Sequence, residues 1–176
     1  VERARPIMRK LMEETGETAN LGVQQEKSVL FLSQVETQAN IRAFFPPGTL
    51  SPMHASGIGK ALLAHMDKLR LNTLLSKTQF ESFTAHSITE PTALRAHLSD
   101  IRTRGYSIDN EEKNTGMRCI AAPVFDFNGE AIAGISVSGP TSRIEPARLK
   151  GLTTPVMNAA HALTVAIGGN ASANSH

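Results

Sequence analysis

Apolar positions recur along the chain at two spacings, and each change of spacing marks a new element. Ile7, Met8, Leu11 and Met12 stand at helical intervals after Pro6, so residues 1–15 predict an amphipathic helix that stops near Gly16. The runs TANLGVQQ and SVLFLSQVE have strand composition and are parted by Glu26-Lys27, which predicts a hairpin. Ile41 to Phe45 is expected as a third short extended run, halted by Pro46-Pro47-Gly48. Ala61, Leu62, Leu63 and Met66 then give an apolar helical face, with Ser56-Gly57-Ile58-Gly59 where that helix begins. Leu69 to Leu75 continues as a short helix, and residues 80–89 form a connecting loop in which His86 and Ser87 are expected to be exposed. Thr89 is the expected cap of the next helix, which carries Pro91 in its first turn, runs through Leu94, Leu98 and Ile101 to Arg104, and stops at Gly105. Residues 106–109 form a short strand before the charged loop 110–114. The last apolar stripe, from Leu149 through Leu152, Val156, Ala160 and Leu163 to Ile167, predicts a helix over Glu145–Ile167, in one piece or in two broken at Pro155.

The stretch between residues 116 and 140, GMRCIAAPVFDFNGEAIAGISVSGP, proposes its own register. Asn128-Gly129 is a common pair for a two-residue hairpin turn, flanked by two strand-like runs. Pairing Phe127 with Glu130 sets Cys119 opposite Ser138 and Ala121 opposite Ser136. Side chains alternate faces with period two, so Met117, Cys119, Ala121, Ser136 and Ser138 share a face. Ile120, Ala122, Ile135 and Val137 supply the other. If residues 106–109 pair antiparallel with this hairpin, Asp109 approaches Cys119 and a carboxyl joins one thiol and two hydroxyls. Packing of small residues under a helix is the competing explanation of that face.

Composition narrows the chemistry. A chain of 176 residues suits one domain with a sizeable core. The single cysteine, Cys119, excludes an internal disulfide framework, and the absence of a secretion signal or a long apolar run predicts a cytoplasmic protein with no membrane partner. Net charge is +2, with acidic and basic residues interleaved, which is a poor footprint for nucleic acid; the chain also lacks Trp and has one Tyr, which disfavours a stacking platform. No histidine lies in the Cys119 hairpin to activate the thiol, and the scattered histidines have no metal-ligand spacing, so neither an enzyme nor a metal or other cofactor is expected. His54 is expected as a structural residue in a tight turn. The glycines at the Ser56–Gly59 helix start leave backbone N–H groups accessible to an anion, and the pattern lacks the spacing of a phosphate-binding P-loop. Small carboxylates suit it better than nucleotides. Lys60, next on the helix, is expected to be a solvated or structural charge rather than a ligand contact.

Five separated blocks, PIMRKLMEETGETANLGV, MHASGIGKALLAHM, RTRGYSIDNEE, GMRCIAAPVFD and ISVSGP followed by Arg143, resemble the effector-binding domain of IclR-type bacterial transcriptional regulators, in that family's order. The resemblance implies an α/β (α+β) fold: a GAF-like domain with a central, largely antiparallel sheet flanked by helices. It implies that residues 1–15 end a linker from a winged helix-turn-helix domain that is missing here, that residues 16–168 form the sensor, and that residues 169–176 are a disordered tail. The effector would be a small organic acid, with glyoxylate or a pyruvate-like 2-oxo acid preferred. It would be held by backbone N–H groups of Gly57 and Ile58 and by Asp109, Cys119, Ser136 and Ser138, with Met117 as an apolar wall. Operator DNA would be bound only through the missing domain, and a homodimer or homotetramer is implied. Asn40 and Ala43 are smaller or more polar than the apolar residues of relatives that bind two- or three-carbon acids, which opens the pocket to an aromatic or sugar-derived acid. A GAF-type signalling or dimerisation module, binding another metabolite or a nucleotide, is the alternative function.

Overall fold

The computed structural model describes residues 1–171; the expected tail beyond Ala171 lies outside the described residues. Six antiparallel strands form one sheet in the order β3-β2-β1-β6-β5-β4, where β1 is Thr18–Gln25, β2 Ser28–Val35, β3 Leu50–Pro52, β4 Ser107–Asn110, β5 Met117–Phe125 and β6 Ala131–Pro140. The helices are α1 (Ala4–Thr15), α2 (Gly57–Ala64), α3 (Lys68–Ser76), α4 (Pro91–Arg104) and α5 (Pro146–Ala166). Alternation along the strands gives the sheet two buried faces. One carries Ala19, Leu21, Ile120, Ala122, Ile135 and Val137 and packs under α1 and α5 through Met8, Leu11, Leu152, Val156 and Leu163. The other is covered by α2, with Ile58, Leu62 and Leu63, and behind it α4, with Leu94, Leu98 and Ile101. Among the described residues, no helix is long and apolar enough to cross a membrane.

Most elements stand where the apolar spacing puts them, and the exceptions have physical reasons. Residues 41–45 form no strand, because the edge beside β2 is taken by β3 instead. Ile41 and Phe44 are exposed, and the segment from 36 to 49 crosses the surface as a strap tied down at Ala43, whose carbonyl accepts from the Thr18 hydroxyl. Helix α4 has Glu90 at its N-cap position with no side-chain cap, so Thr89 does not cap it. Ser87 is half-buried, its hydroxyl donating to the Glu112 carbonyl and accepting from the N–H groups of Phe83 and Thr84. Pro155 sits inside an unbroken α5. The carbonyl it leaves without a donor is that of Gly151, which has no side chain. Gly169 and Asn170 are held in place, donating to the Thr164 and Asp126 carbonyls.

The β5–β6 hairpin pairs Cys119 with Ser138 and Ala121 with Ser136, as its turn predicted, but the turn is a different one. Asp126 pairs with Glu130 around a three-residue loop, and the Asp126 carboxylate accepts from the N–H groups of Asn128 and Glu130. That lengthening alone would slip the register. Ile132, bulged between Ala131 and Ala133, supplies the compensating residue, and from Val124–Ala133 onward the expected register holds.

A buried acid stitches the far side of the fold. Glu17, 1% exposed, accepts from Arg143 Nε at 2.8 Å and Nη2 at 2.9 Å and from Arg148 Nη1 at 3.2 Å. Arg143 also donates to the Ile41 carbonyl of the strap, and Arg148 to the Thr15 carbonyl at the end of α1.

Candidate functional site

Strand register assembles the site in rows across the sheet. Asp109, Cys119, Ser138 and Thr18 are successive neighbours on β4, β5, β6 and β1, and in the next row stand Ser107, Ala121, Ser136 and Asn20. A third row, Pro123, Gly134 and Gly22, completes a patch of small and polar residues facing α2. Such a face cannot fill the space under an ordinary helix, and the start of α2 descends onto it. A Cβ on Gly57 would lie 2.8 Å from the Cys119 Sγ, and the Ile58 side chain fills the notch between the paired Gly22 and Gly134, where a Cβ on Gly134 would stand 2.6 Å from Ile58 Cγ2. Small-residue packing and an anion site are therefore one arrangement: the glycines let the helix start approach, and its first amides come with it.

Ser56 caps α2, its hydroxyl accepting from the Gly59 N–H at 3.2 Å. Gly57 and Ile58 open the helix, so their N–H groups have no intrahelical acceptor. The Gly57 carbonyl accepts from Ser107. Between this helix start, the sheet rows and the strap lies a cavity of about 20 Å³, lined among others by Gly57, Ile58, Asp109, Cys119, Ser136 and Ser138. Six of the seven expected site residues thus meet in one place. The seventh, Met117, lies further along the same sheet face, paired with Pro140, and is not part of the lining. The apolar wall is instead Phe31 from β2 and Phe45 from the strap, stacked with centroids 4.9 Å apart. Asn40 and Ala43 do not line the cavity.

Asn20 was not anticipated. It is fully buried and donates through Nδ2 to both Ser136 Oγ and Ser138 Oγ at 3.2 Å, while Gln34 Nε2 donates to its Oδ1 at 3.3 Å. Gln34 thereby fixes which end of the amide faces the serines. Each serine oxygen has one lone pair occupied and keeps its O–H to give. An Asn inside a strand-like run was the one available signal, since strands disfavour it.

Lys60 is the largest fully buried side chain, and of the two expected roles it takes the structural one: Nζ donates to Glu112 Oε1 at 2.7 Å, Oε2 at 2.9 Å and the Ile108 carbonyl at 2.6 Å. Glu112 in turn accepts from the Asn110 N–H. The pair pins the β4–β5 loop over the site, and Glu112 returns its own N–H to Asp109 Oδ1 at 2.8 Å. His54 sits in the turn Met53–Ala55, its Nε2 within 3.0 Å of the Glu81 carbonyl and its ring against Phe80 and Phe83.

Burial, followed by the neighbouring Glu112 carboxylate, pushes the Asp109 carboxyl up to about 7. Burial and then Asp109 push the Cys119 thiol up to about 12, against the pull of the Ser138 and Ser136 hydroxyls. The thiol stays neutral at physiological pH, so it can recognise a ligand but is not an activated nucleophile. Among the described residues, no group of three or more His, Cys, Asp or Glu could hold a metal ion.

A partly open cup with helix-start amides and hydroxyls, on an antiparallel α+β domain, has the chemistry to hold a small ligand. The chain belongs to the IclR family of transcriptional regulators: the family described as bacterial transcriptional regulator IclR C-terminal matches residues 1–165. It is 60% identical over 164 residues to the HTH-type transcriptional regulator BhcR of Paracoccus denitrificans, covering 93% of this chain and 59% of that one. It is 41% identical over 166 residues to the transcriptional repressor IclR of Escherichia coli, covering 93% and 61%. The chain therefore spans about 60% of the length of these curated relatives. The crystal structure of the C-terminal domain of the Escherichia coli regulator KdgR superposes with a TM-score of 0.86 at 34% identity, covering 95% of this chain and 97% of that one. These relatives are regulators, and the chain is an effector-binding domain of that family, not an enzyme.

Proposed function

We propose that this domain binds a small organic acid in the cavity under the start of α2, with a 2-oxo acid of two or three carbons, glyoxylate or pyruvate, preferred. Binding would control a separate N-terminal domain that reads operator DNA. The observation that carries this reading is the meeting of two uncommitted helix-start N–H groups with two serine hydroxyls whose lone pairs are already engaged by Asn20. All of these can donate to a carboxylate; the two helix-start N–H groups are uncommitted, and the serine hydroxyls would turn to the ligand from the neighbouring Cys119 sulfur. The thiol and the Asp109 carboxyl face the other end of a short acid. The stacked rings of Phe31 and Phe45, which wall the cavity, support a ligand of few atoms over an aromatic or sugar-derived acid.

The test is the melting temperature of the domain in the presence of glyoxylate, pyruvate, aromatic acids, sugar-derived acids and cyclic nucleotides. A ligand present at a hundred times its Kd stabilises by about 2.7 kcal/mol, which shifts the melting temperature by several degrees. A short 2-oxo acid is expected to give the largest shift, and Ser138→Ala and Cys119→Ala are expected to lose it while remaining folded. A shift with a nucleotide and with no acid would overturn the reading.

A further inference from the structure

Asp109 is the one group in the cavity whose charge opposes the proposed ligand, and its surroundings are fully accounted for. From the β4–β5 loop, Glu112 faces it with a second carboxylate and a backbone N–H. Lys113 offers its backbone N–H, while its ammonium lies over the Phe83 ring. Glu111 on that loop pairs with Arg118. From α2, Lys60 is consumed by both oxygens of Glu112 and by the Ile108 carbonyl, so its charge is already balanced. On α4, burial first and then Lys60 lower the His97 imidazole below its ordinary value. From β5 comes a neutral thiol, from β6 two hydroxyls, and from the strap an aromatic ring. No cation is hydrogen-bonded to Asp109; Lys113, which lines the same cavity, keeps its ammonium over the Phe83 ring.

Two like charges about 4 Å apart, at the effective dielectric of about 20 that suits such sites, repel by enough to shift an equilibrium about a thousandfold. A ligand carboxylate in this cavity cannot share it with an ionised Asp109 unless something intervenes. What intervenes depends on the oxygen at C2 of the acid. A hydroxyl there, including that of an aldehyde hydrate, donates to the Asp109 carboxylate. A carbonyl oxygen can only accept, and needs a proton on Asp109 to accept from.

We propose that Asp109 sorts acids by their C2 oxygen: a 2-oxo acid binds together with one proton taken from solvent onto the Asp109 carboxyl, and a 2-hydroxy acid binds to the carboxylate without one. The proton returns to solvent when the oxo acid leaves, and no bond of the ligand is broken. This inference rests on the acid-binding reading above. It makes Asp109 a specificity-determining residue whose preference moves with pH, because the group ionises at about 7 before ligand arrives.

Isothermal titration of the unaltered chain with pyruvate and with lactate, from pH 6 to 9 and in two buffers of different ionisation heat, tests it. Pyruvate affinity is expected to fall about tenfold per pH unit above about 7, with uptake close to one proton at pH 8. Lactate affinity is expected to change less than about threefold between pH 7 and 9, with uptake near zero at pH 8, and to fall below pH 7, where the carboxyl must first release its proton. Asp109→Asn, whose amide donates at any pH, is expected to bind pyruvate with no pH dependence. Pyruvate binding that is flat from pH 7 to 9, or lactate binding with the same proton uptake, would overturn the sorting role and leave the acid site standing. Failure of both acids to bind would overturn the site reading itself, and the proposal with it.

Discussion

At the scale of single residues, the site divides into groups that declare themselves and one that does not. Cys119, Ser136 and Ser138 could be placed together because a hairpin pairs residues near in sequence, and Asp109 because β4 and β5 are joined by a short loop. Asn20 could not, since its partners lie 116 and 118 positions away and only the β1–β6 pairing brings them within reach. Its role is positional: it orients the two hydroxyls and does not itself line the cavity. Asn20→Ala is therefore expected to weaken acid binding about tenfold and to cost about 1–3 kcal/mol of stability, the range for buried hydrogen bonds that lose a partner. Calorimetric titration beside a urea melt separates the two. Unchanged affinity would mean that the serines need no orienting amide.

At the scale of elements, the helix start and the loop over it act as one unit. The apolar period marked α2 and its cap region, but periodicity carries no information on which buried charge meets which. Lys60 on α2 and Glu112 after β4, side chains 0% and 5% exposed, are such a pair. Removing one partner of a buried ion pair costs about 3–5 kcal/mol because the other charge is left uncompensated. Lys60→Met is expected to destabilise by that amount and Lys60→Met with Glu112→Leu by clearly less, as read from denaturant midpoints of the two variants. The strap between residues 36 and 49 shows the opposite limit. Its apolar residues resemble a strand in isolation, yet the edge of β2 is taken by β3, and its contribution to the site, the Phe45 ring, follows from a turn at two prolines that no periodicity describes.

At the scale of the whole molecule, two half-buried titratable groups oppose each other. His65, the one described residue with a buried side-chain nitrogen lacking a hydrogen-bond partner, sits against the Phe125 ring, and burial followed by Arg102 lowers it to about 4. Its folded value lies below the unfolded one, so between about pH 4 and 6.5 the unfolded chain binds the extra proton and stability rises with pH. Asp109 is raised from 3.8 to about 7, so over the same window the folded state holds the extra proton and stability falls with pH. Each slope is about 1.4 kcal/mol per pH unit, and they nearly cancel. The difference in unfolding free energy between the parent and Asp109→Asn is expected to fall from pH 4 to 6.5, and that between the parent and His65→Leu to rise. Parallel curves for parent and variant would show that the group in question is not perturbed. Sheet order is the whole-molecule feature least visible in the chain, because nothing local says that the first strand lies beside the last.

That pairing of β1 with β6 also governs when the domain becomes competent. The two serines reach their amide partner only after more than a hundred intervening residues have been made and folded back, so loop closure precedes any reward from the central ladder. The central ladder therefore rests on a pairing of high sequence separation, the kind of contact that slows folding. A nascent or partly folded chain has no binding cup at all. Until β6 docks beside β1, Ser136 and Ser138 lack the Asn20 amide on which the proposed site depends.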